Sequence, residues 1–439
     1  MRNQKTEGIE IALSKLFPSI KLNSQILQLE IFVRQYKYKG NSTGQAGYIN
    51  NLGQFILWYK ISNGKVNVLI VTRDFGFTPS EIALLKTTAS IIETFDDDTD
   101  NDFQKSSRRL TSKLAFETLL IASFLRNQKD KRYSNIANIL FALKDLTFER
   151  YESGKCTSGF IYSNEMIQYI RAIPEDDYEL IKFENTIELA PGFFDTPASF
   201  RYVDGKNSFY LIDSFAVIHG VVKIRNPKKY NIVDRQNNKH LISLVDKKIS
   251  TRKWIAYVGV NNDINVLGPH STVLKWAKNH WSLRDRGIIV NIFNSFEMDN
   301  ALVEVLTDTI FSLSELRQGT VILIPNNEHE RPQISGMIDQ SKVGDEVRRT
   351  IVNSSVKTLH DSHALIGILS SDGLTTITKS GNIIGCGEII SIQHEASQDH
   401  AGGGRSQAAL MASTFGLAVK VSEDGPISIF KNGTKIISI

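Results

Sequence analysis

The stretch Gly402–Leu410, "GGGRSQAAL", combines residue types that suit the binding of an anion. Glycines have no side chain to block a ligand, so three in a row let the backbone approach it closely. Arg405 follows at once, and the small residues after it are typical of the start of a helix, where N–H groups attract phosphate. The stretch is therefore a candidate phosphate cradle, although glycine-rich runs are more often plain turns.

Two further pairs of polar residues lie in the same part of the chain. Asp372-Gly373 stands between two apolar runs, and Ser422-Glu423 follows a third. A carboxylate such as Asp372 can accept a proton or hold a divalent ion. Both pairs also have a structural interpretation, because Asp-Gly is a common turn, and Arg405 or Glu423 can simply form a surface ion pair.

The segment from about residue 287 to 439 is predicted to be an α/β domain that carries these residues. The stripe of Leu302, Leu306, Ile310 and Leu313 predicts a helix ended by Gly319. Alternating runs then predict strands at "TVILIP", at "HALIGIL", on both sides of a hairpin at Gly381-Asn382, and around a turn at Asn432-Gly433. A short helix, "SQAALMASTF", is predicted to follow the glycines and to stop at Gly416.

The order of these motifs resembles the diadenylate cyclase domain (DisA_N type). That family carries an Asp-Gly-Ala motif, then a Gly-Thr-Arg-His loop before a helix, then a Ser-Glu pair on a strand. In this sequence Asp372-Gly373 match the first motif, with Leu374 in the alanine position. The second is matched by Gly403, Gly404 and Arg405, and the third by Ser422 and Glu423.

The resemblance implies that the domain condenses two ATP molecules into cyclic di-AMP. Asp372 would take the proton of a 3′-hydroxyl and hold Mg²⁺ or Mn²⁺, while Arg405 and the amides of Gly402–Gly404 would stabilise phosphate charge. The other nucleotide-binding candidates are Gly373, Leu374, Ser406, Ser422 and Glu423. Because the family's two ATP molecules face each other across two subunits, a dimer or larger assembly is expected.

Two departures from the family pattern bear on activity. The family threonine is Gly404, which removes a hydroxyl donor, and the family histidine is Ser406. Serine can donate a hydrogen bond to phosphate but cannot carry a positive charge. Two functions therefore stay open, an active cyclase and a degenerate receptor of a nucleotide or cyclic dinucleotide; a purely structural protein explains the glycine loop poorly.

The first 286 residues are predicted to form an α/β region (1–150) and a β-rich region (151–286). "FTPSEIALL" predicts a helix start with Thr78 as cap, Pro79 first and Glu81 closing a capping box. "LAFETLLIASFL" and the stripe at Ile136, Ile139, Leu140 and Leu143 predict buried helices. The "ELAPGFFDTPASF" region resembles one that precedes the cyclase domain in a bacterial group and has been proposed to act as a sensor, so we expect regulation rather than catalysis from it.

Other clusters of metal-binding residue types favour structural interpretations. The acidic run Asp96–Asp102 lacks the glycine and terminal glutamate of a calcium loop. His394 and His400 flank the glycines and are expected to lie in a solvated loop, and the cluster His360–His363 lacks a third zinc ligand. His219 lies in an apolar strand and is expected to be a hydrogen-bonded structural residue.

Composition narrows the class of protein. The 439 residues carry 51 basic and 47 acidic side chains, a net charge of +4 that gives no strong signal for nucleic acid. Two distant cysteines indicate a reducing compartment. With no secretory signal and no apolar run long enough for a membrane span, we expect a cytoplasmic protein of α/β class: a C-terminal mixed sheet flanked by helices, after an N-terminal α/β plus β-rich region.

Overall fold

The computed structural model describes residues 4–38, 46–51, 54–61, 64–73, 75–94, 113–126, 133–245, 253–268, 272–391 and 403–439. The chain divides into two compact units. The first comprises Met1–Lys229 and His240–Asp285, and the second comprises Tyr230–Lys239 and Arg286–Ile439. Both contain sheets flanked by helices, which confirms the predicted α/β class. The predicted boundary at about residue 150 stays a prediction.

The N-terminal part of the first unit pairs a small antiparallel sheet with helices. Its strands are β1 (Lys21–Gln28), β2 (Ala46–Asn51), β3 (Gln54–Ile61) and β4 (Lys65–Thr72), in the spatial order β1-β4-β3-β2. Its helices are α1 (Gln4–Leu16), α2 (Leu29–Tyr36), α3 (Pro79–Thr94), α4 (Lys113–Leu125) and α5 (Tyr133–Leu146). The predicted buried helices are confirmed as α4 and α5, since Leu120, Ile139 and Leu143 are fully buried.

The capping box that the sequence predicts at the start of α3 is present. The backbone N–H of Thr78 donates to Glu81 Oε2 at 2.8 Å, and the N–H of Glu81 donates to Thr78 Oγ1 at 3.2 Å. Glu81 also forms a buried bidentate pair with Arg73, with both N···O distances 2.6 Å. Because the reciprocal bonds satisfy N–H groups that a helix start leaves unpaired, the helix begins at Pro79.

The rest of the first unit is built on a larger mixed sheet. Its strands among the described residues are β7 (Gly159–Ser163), β8 (Tyr178–Glu188), β9 (Ser208–Ile212), β10 (Val217–Ile224), β11 (Lys253–Val258), β12 (Ile264–Leu267), β13 (Val273–Ala277) and β14 (His280–Leu283). Their order is β14-β13-β12-β11-β7-β9-β10-β8, with β7 parallel to β9. His219 on β10 lies 2.9 Å from the Asp213 carboxylate, which confirms its structural interpretation.

Short elements connect these strands. They are the hairpin of β5 (Arg150–Tyr151) and β6 (Gly154–Lys155) and the helices α6 (Met166–Ala172), α7 (Ala198–Arg201) and α9 (Lys239–Val245); helix α8 (Ile232–Gln236) belongs to the second unit. No helix of the described residues is long and apolar enough to cross a membrane.

The second unit is built around a buried strand, β15 (Thr320–Pro325), the predicted "TVILIP". The other strands described in its sheet are β16 (Ile334–Met337), β17 (Leu374–Ile377), β18 (Ile383–Ile390), β19 (Gly416–Val421), β20 (Ile427–Lys431) and β21 (Thr434–Ser438), in the order β16-β18-β17-β15-β19-β20-β21. The helices are α10 (Arg286–Asn294), α11 (Asn300–Glu315), α12 (Lys342–Ile351), α13 (Val356–Asp361), α14 (Leu365–Leu369) and α15 (Gly404–Ala412).

Three sequence predictions for this unit need correction. The "HALIGIL" run is not a strand but contains helix α14, because a short apolar run has no periodicity that separates a strand from a buried helix. Helix α11 ends at Glu315 rather than at Gly319, and Arg317 takes the left-handed conformation that follows it, with φ 55°. Helix α15 ends at Ala412, and Gly416 opens β19 instead.

Candidate functional site

The topology of the second unit brings three distant chain segments to one edge of its sheet. β17 runs parallel to β15, with Leu374 opposite Val321. β19 runs antiparallel to β15, with Val421 opposite Thr320. The residues just before β17 therefore lie at the same edge as the residues just after β19. These are Asp372-Gly373 and Ser422-Glu423.

The glycine loop reaches the same edge because of the way in which α15 packs. The helix contacts β15 and β19, and its buried Ala409 and Ala412 join an apolar cluster with Val321 and Ala418. Only a short link separates the end of α15 from the start of β19, so the helix runs back along that strand and begins at the site. Gly403 occupies the N-cap position with no side-chain cap, which leaves the first N–H groups available to an anion.

Gly373 is required by its backbone. Its φ of +90° lies in the region that favours glycine, and an added Cβ would stand 2.7 Å from the carbonyl carbon of Gly387. A side chain here would therefore push β18 away from the turn. The Asp-Gly pair is thus a true turn, and it presents the Asp372 carboxylate with 61% of its side chain exposed.

Arg405 joins the two acidic candidates. Its Nη2 donates to Asp372 Oδ1 at 2.5 Å and its Nη1 donates to Glu423 Oε1 at 2.7 Å. The hydrogen bonds to Glu423 and Asp372 raise the pKa of the Arg405 guanidinium. The ion-pair interpretation of Arg405 and Glu423 is therefore correct for this structure, and both residues line an open cavity.

A residue that sequence analysis assigned only to a helix end, Gly319, supports this arrangement. A Cβ added to it would lie 2.7 Å from Arg405 Nη1 and 2.8 Å from Arg405 Cζ. The guanidinium therefore lies directly against the backbone at the start of β15. No residue larger than glycine fits there unless Arg405 moves.

Ser406, the residue in the family's histidine position, is held by a lysine that the sequence analysis missed. Lys420 on β19 donates from Nζ to Ser406 Oγ at 2.6 Å. Burial lowers the pKa of Lys420. The one sequence signal for this residue is that a charged side chain interrupts the otherwise apolar run "LAVKV".

These groups line one open cavity of about 730 Å³. The predicted site residues that line it are Asp372, Gly373, Leu374, Gly403, Gly404, Arg405, Ser406, Ser422 and Glu423. Gly402 lies outside the described residues. The lining residues that sequence analysis missed are Val321, Ile338, Glu388, Ile389, Ile390, Ala408, Lys420 and Asp424. The cavity thus combines apolar side chains with charged groups of both signs.

Metal-binding candidates are sparse in the part of the chain that the structure describes. No group of three His, Cys, Asp or Glu side chains there could hold an ion, and this includes the His360–His363 cluster. Burial lowers the pKa of His360, which lies on α13. The acidic run Asp96–Asp102 and the histidines His394 and His400 lie outside the described residues.

Comparisons with known proteins find only distant likeness. No protein-family model and no curated protein matches this chain. One similar solved structure is a hypothetical membrane-spanning protein from Bacillus cereus, with 18% identity and a TM-score of 0.26 over 34% of this chain and 70% of that one. A double mutant of DacA from Staphylococcus aureus is a weak neighbour, with 18% identity and a TM-score of 0.22 over 32% of this chain and 87% of that one. The functional argument therefore rests on the cavity itself.

Proposed function

We propose that the second unit is a nucleotide-binding domain of the diadenylate cyclase type, which condenses two ATP molecules into cyclic di-AMP. The observation that carries this proposal is the convergence of three separated motifs on one cavity, where Arg405 bridges Asp372 and Glu423.

Each residue has a role in this reaction that its chemistry supports. The N–H groups at the start of α15 and the Arg405 guanidinium bind the phosphate chain. Asp372 accepts the proton of the 3′-hydroxyl of one ATP. The hydroxyl oxygen bonds to the α-phosphorus of the second ATP, and pyrophosphate leaves. A repeat of this step closes the ring. The apolar wall formed by Ile338 and Ile389 accepts an adenine ring.

A divalent ion would be held at this site by one carboxylate together with the phosphates of the nucleotide. Asp372 offers a single exposed carboxylate, and Mg²⁺ is often held by one or two carboxylates together with substrate phosphates. Asp372 is therefore the residue that would hold Mg²⁺ or Mn²⁺ once nucleotide is present. When bound, such an ion would offset phosphate charge and make the attacking hydroxyl more acidic.

A receptor without catalysis is the second candidate. It is favoured by Gly404 and Ser406, which lack the family's threonine hydroxyl and histidine imidazole, and by the pairing of Arg405 with both carboxylates. In either case we propose that the N-terminal region regulates the cavity as a sensor, and that the chain self-associates.

One experiment separates the two candidates. Purified full-length protein is incubated with ATP and either Mg²⁺ or Mn²⁺, and products are identified by mass spectrometry. Cyclic di-AMP, absent when Asp372→Asn replaces the wild type, supports the cyclase. No product from ATP or GTP with either metal, together with tight binding of cyclic di-AMP in calorimetry, supports the receptor. Binding of neither nucleotide nor cyclic dinucleotide would overturn both.

A further inference from the structure

The charges that line the cavity pose a problem for an anionic ligand. Among the described residues, the carboxylates outnumber the cationic groups four to two; the lining groups are Asp372, Glu388, Glu423, Asp424, Arg405 and Lys420. Arg405 is already bonded to two of the carboxylates. A triphosphate that entered this cavity would therefore need positive charge in addition to that of Arg405.

Lys420 is placed to supply this positive charge. It lies on β19, two residues from the buried Ala418, so both side chains point toward α15. Its ammonium bonds to Ser406 Oγ at 2.6 Å, in the first turn of the helix. Burial lowers the pKa of this ammonium, and the nearby Asp424 carboxylate, which also lines the cavity, raises it in part. The lysine thus lies beside the helix start at which a phosphate would bind.

We infer that Lys420 binds the phosphate chain of the nucleotide and supplies the positive charge that Ser406 lacks. This inference rests on the proposed function. An ammonium has three N–H donors, and one of them is used by Ser406. Because Lys420 also lines the cavity, a phosphate bound there could accept from the remaining donors. Because Ser406 Oγ accepts from Lys420, its own proton is free to donate to a second phosphate oxygen, so lysine and serine act as one unit.

Electrostatics support this role. Burial is the largest influence and lowers the pKa of Lys420; Asp424 raises it in part, and Lys435 and Arg405 lower it further, so that the net shift is downward and the charged form has less stabilisation here than in water. A phosphate beside the ammonium would restore that stabilisation. A lysine that served only to hold Ser406 would gain nothing from a nucleotide.

Calorimetry on the full-length chain tests the inference with ATP and AMP as probes. Lys420→Met is expected to weaken ATP binding about 10- to 100-fold, the effect of losing one hydrogen bond to a charged group. The ratio of ATP affinity to AMP affinity is expected to fall as well, since AMP offers fewer phosphate oxygens. Lys420→Arg keeps the charge and is expected to retain most of the affinity. The matched control is Lys357→Met, an exposed lysine on α13 outside the cavity lining, which should bind ATP as the wild type does.

The outcomes separate this inference from the proposed function. A wild type and a Lys420→Met variant that bind ATP equally would overturn the role of Lys420 and leave the proposed function intact. A wild type that binds neither ATP nor cyclic di-AMP would overturn the proposed function, and this inference with it. If circular dichroism shows that Lys420→Met does not fold, Lys420→Gln serves the same test, because an amide keeps a donor for Ser406 without the charge.

Discussion

Arg405 is the residue on which the cavity depends, because one guanidinium holds carboxylates from two different chain segments. About a third of its side chain is exposed (33%), so a phosphate can approach it from the cavity. A nucleotide that binds must compete with Asp372 or Glu423 for the same N–H donors. Ligand binding and a change of partners at Arg405 are therefore linked at this site.

Substitution of the two central residues should have different effects. Asp372→Asn is expected to abolish product formation and leave ATP binding largely intact, because the loss is in the chemical step. Arg405→Ala is expected to weaken ATP binding by about 1.5–3 kcal/mol, the contribution of a charge-assisted hydrogen bond. Calorimetry and product assays measure the two effects. The control is Asp361→Asn, an exposed position outside the cavity lining; if it matched Asp372→Asn in lost activity, the assignment of Asp372 would be wrong.

Gly319 provides a test that leaves every charged group in place. Gly319→Ala would put a methyl group against the Arg405 guanidinium, which must then move away from its partners. We expect weaker ATP binding with little change in the free energy of unfolding, because the displaced atoms are the end of a flexible side chain. Gly367→Ala is the matched control, since nothing lies within 4 Å of its added Cβ. Equal ATP affinity in both variants would contradict a positioning role for Gly319.

The residues of the site could be predicted from sequence only where they belong to a motif. Asp372, Arg405 and Glu423 follow from motif order, and the structure brings them within hydrogen-bond distance. Lys420 and Gly319 belong to no motif, and their importance depends on contacts with residues far away in the chain. Such contacts leave only a faint trace in sequence, such as one charge in an apolar strand.

At the scale of elements, the capping signal of α3 predicted a boundary correctly, whereas the glycine stop signals at Gly319 and Gly416 did not. The capping box placed the start of α3 correctly, because its two hydrogen bonds depend on residues three positions apart. The run "HALIGIL" was assigned to a strand and is partly helical, since its packing against other elements decides its conformation. The edge at which the motifs meet follows from strand order, which sequence alone does not give.

The cap of α3 offers a prediction at this scale. Thr78→Ala removes the acceptor of the Glu81 N–H and the hydroxyl that bonds to Asp285. We expect the free energy of unfolding to fall by about 1–2 kcal/mol, as for other lost helix caps. Thr87→Ala, inside the same helix, removes only a hydroxyl bonded to the preceding turn and should change stability little. Urea denaturation of both variants measures the difference, and an equal loss in the two would contradict the cap.

At the scale of the whole molecule, the second unit includes a segment from earlier in the chain. Asp308 on α11 is 8% exposed and bonds to Arg286 and to Lys239, with Lys239 Nζ at 2.8 Å from Oδ2. Asn237 also donates to the Asp308 carbonyl, at 3.0 Å. A fragment that begins at residue 287 would keep the described cavity lining and lose all three partners.

This contact predicts that Asp308→Asn changes the free energy of unfolding in opposite directions in the fragment 287–439 and in the full chain. In the fragment 287–439, the unpaired Asp308 carboxylate is expected to cost about 3 kcal/mol or more. Asp308→Asn should therefore stabilise the fragment, while in the full chain the same change should destabilise, because it breaks the pairs with Arg286 and Lys239. Urea denaturation of the four proteins measures this. If Asp308→Asn changed the free energy of unfolding in the same direction in the fragment and in the full chain, Tyr230–Lys239 would not be an integral part of the second unit.

The last prediction concerns assembly, and it asks whether one chain or two form a productive site. Within one chain Arg405 bonds to Asp372 at 2.5 Å, so a site built in a single chain would lose activity in either variant, and mixing the variants would restore nothing. In the proposed assembly, Asp372 of one subunit serves the nucleotide held by Arg405 of its neighbour. Mixing Asp372→Asn with Arg405→Ala then leaves one interface with both groups intact and one with neither. We expect linear dinucleotide to accumulate in the mixture, detected by mass spectrometry, because one of the two bond-forming steps is preserved. Wild-type activity should likewise rise more steeply than linearly with protein concentration near the dimer dissociation constant. A mixture as inactive as its components, with activity strictly proportional to wild-type concentration, would indicate that each chain works alone.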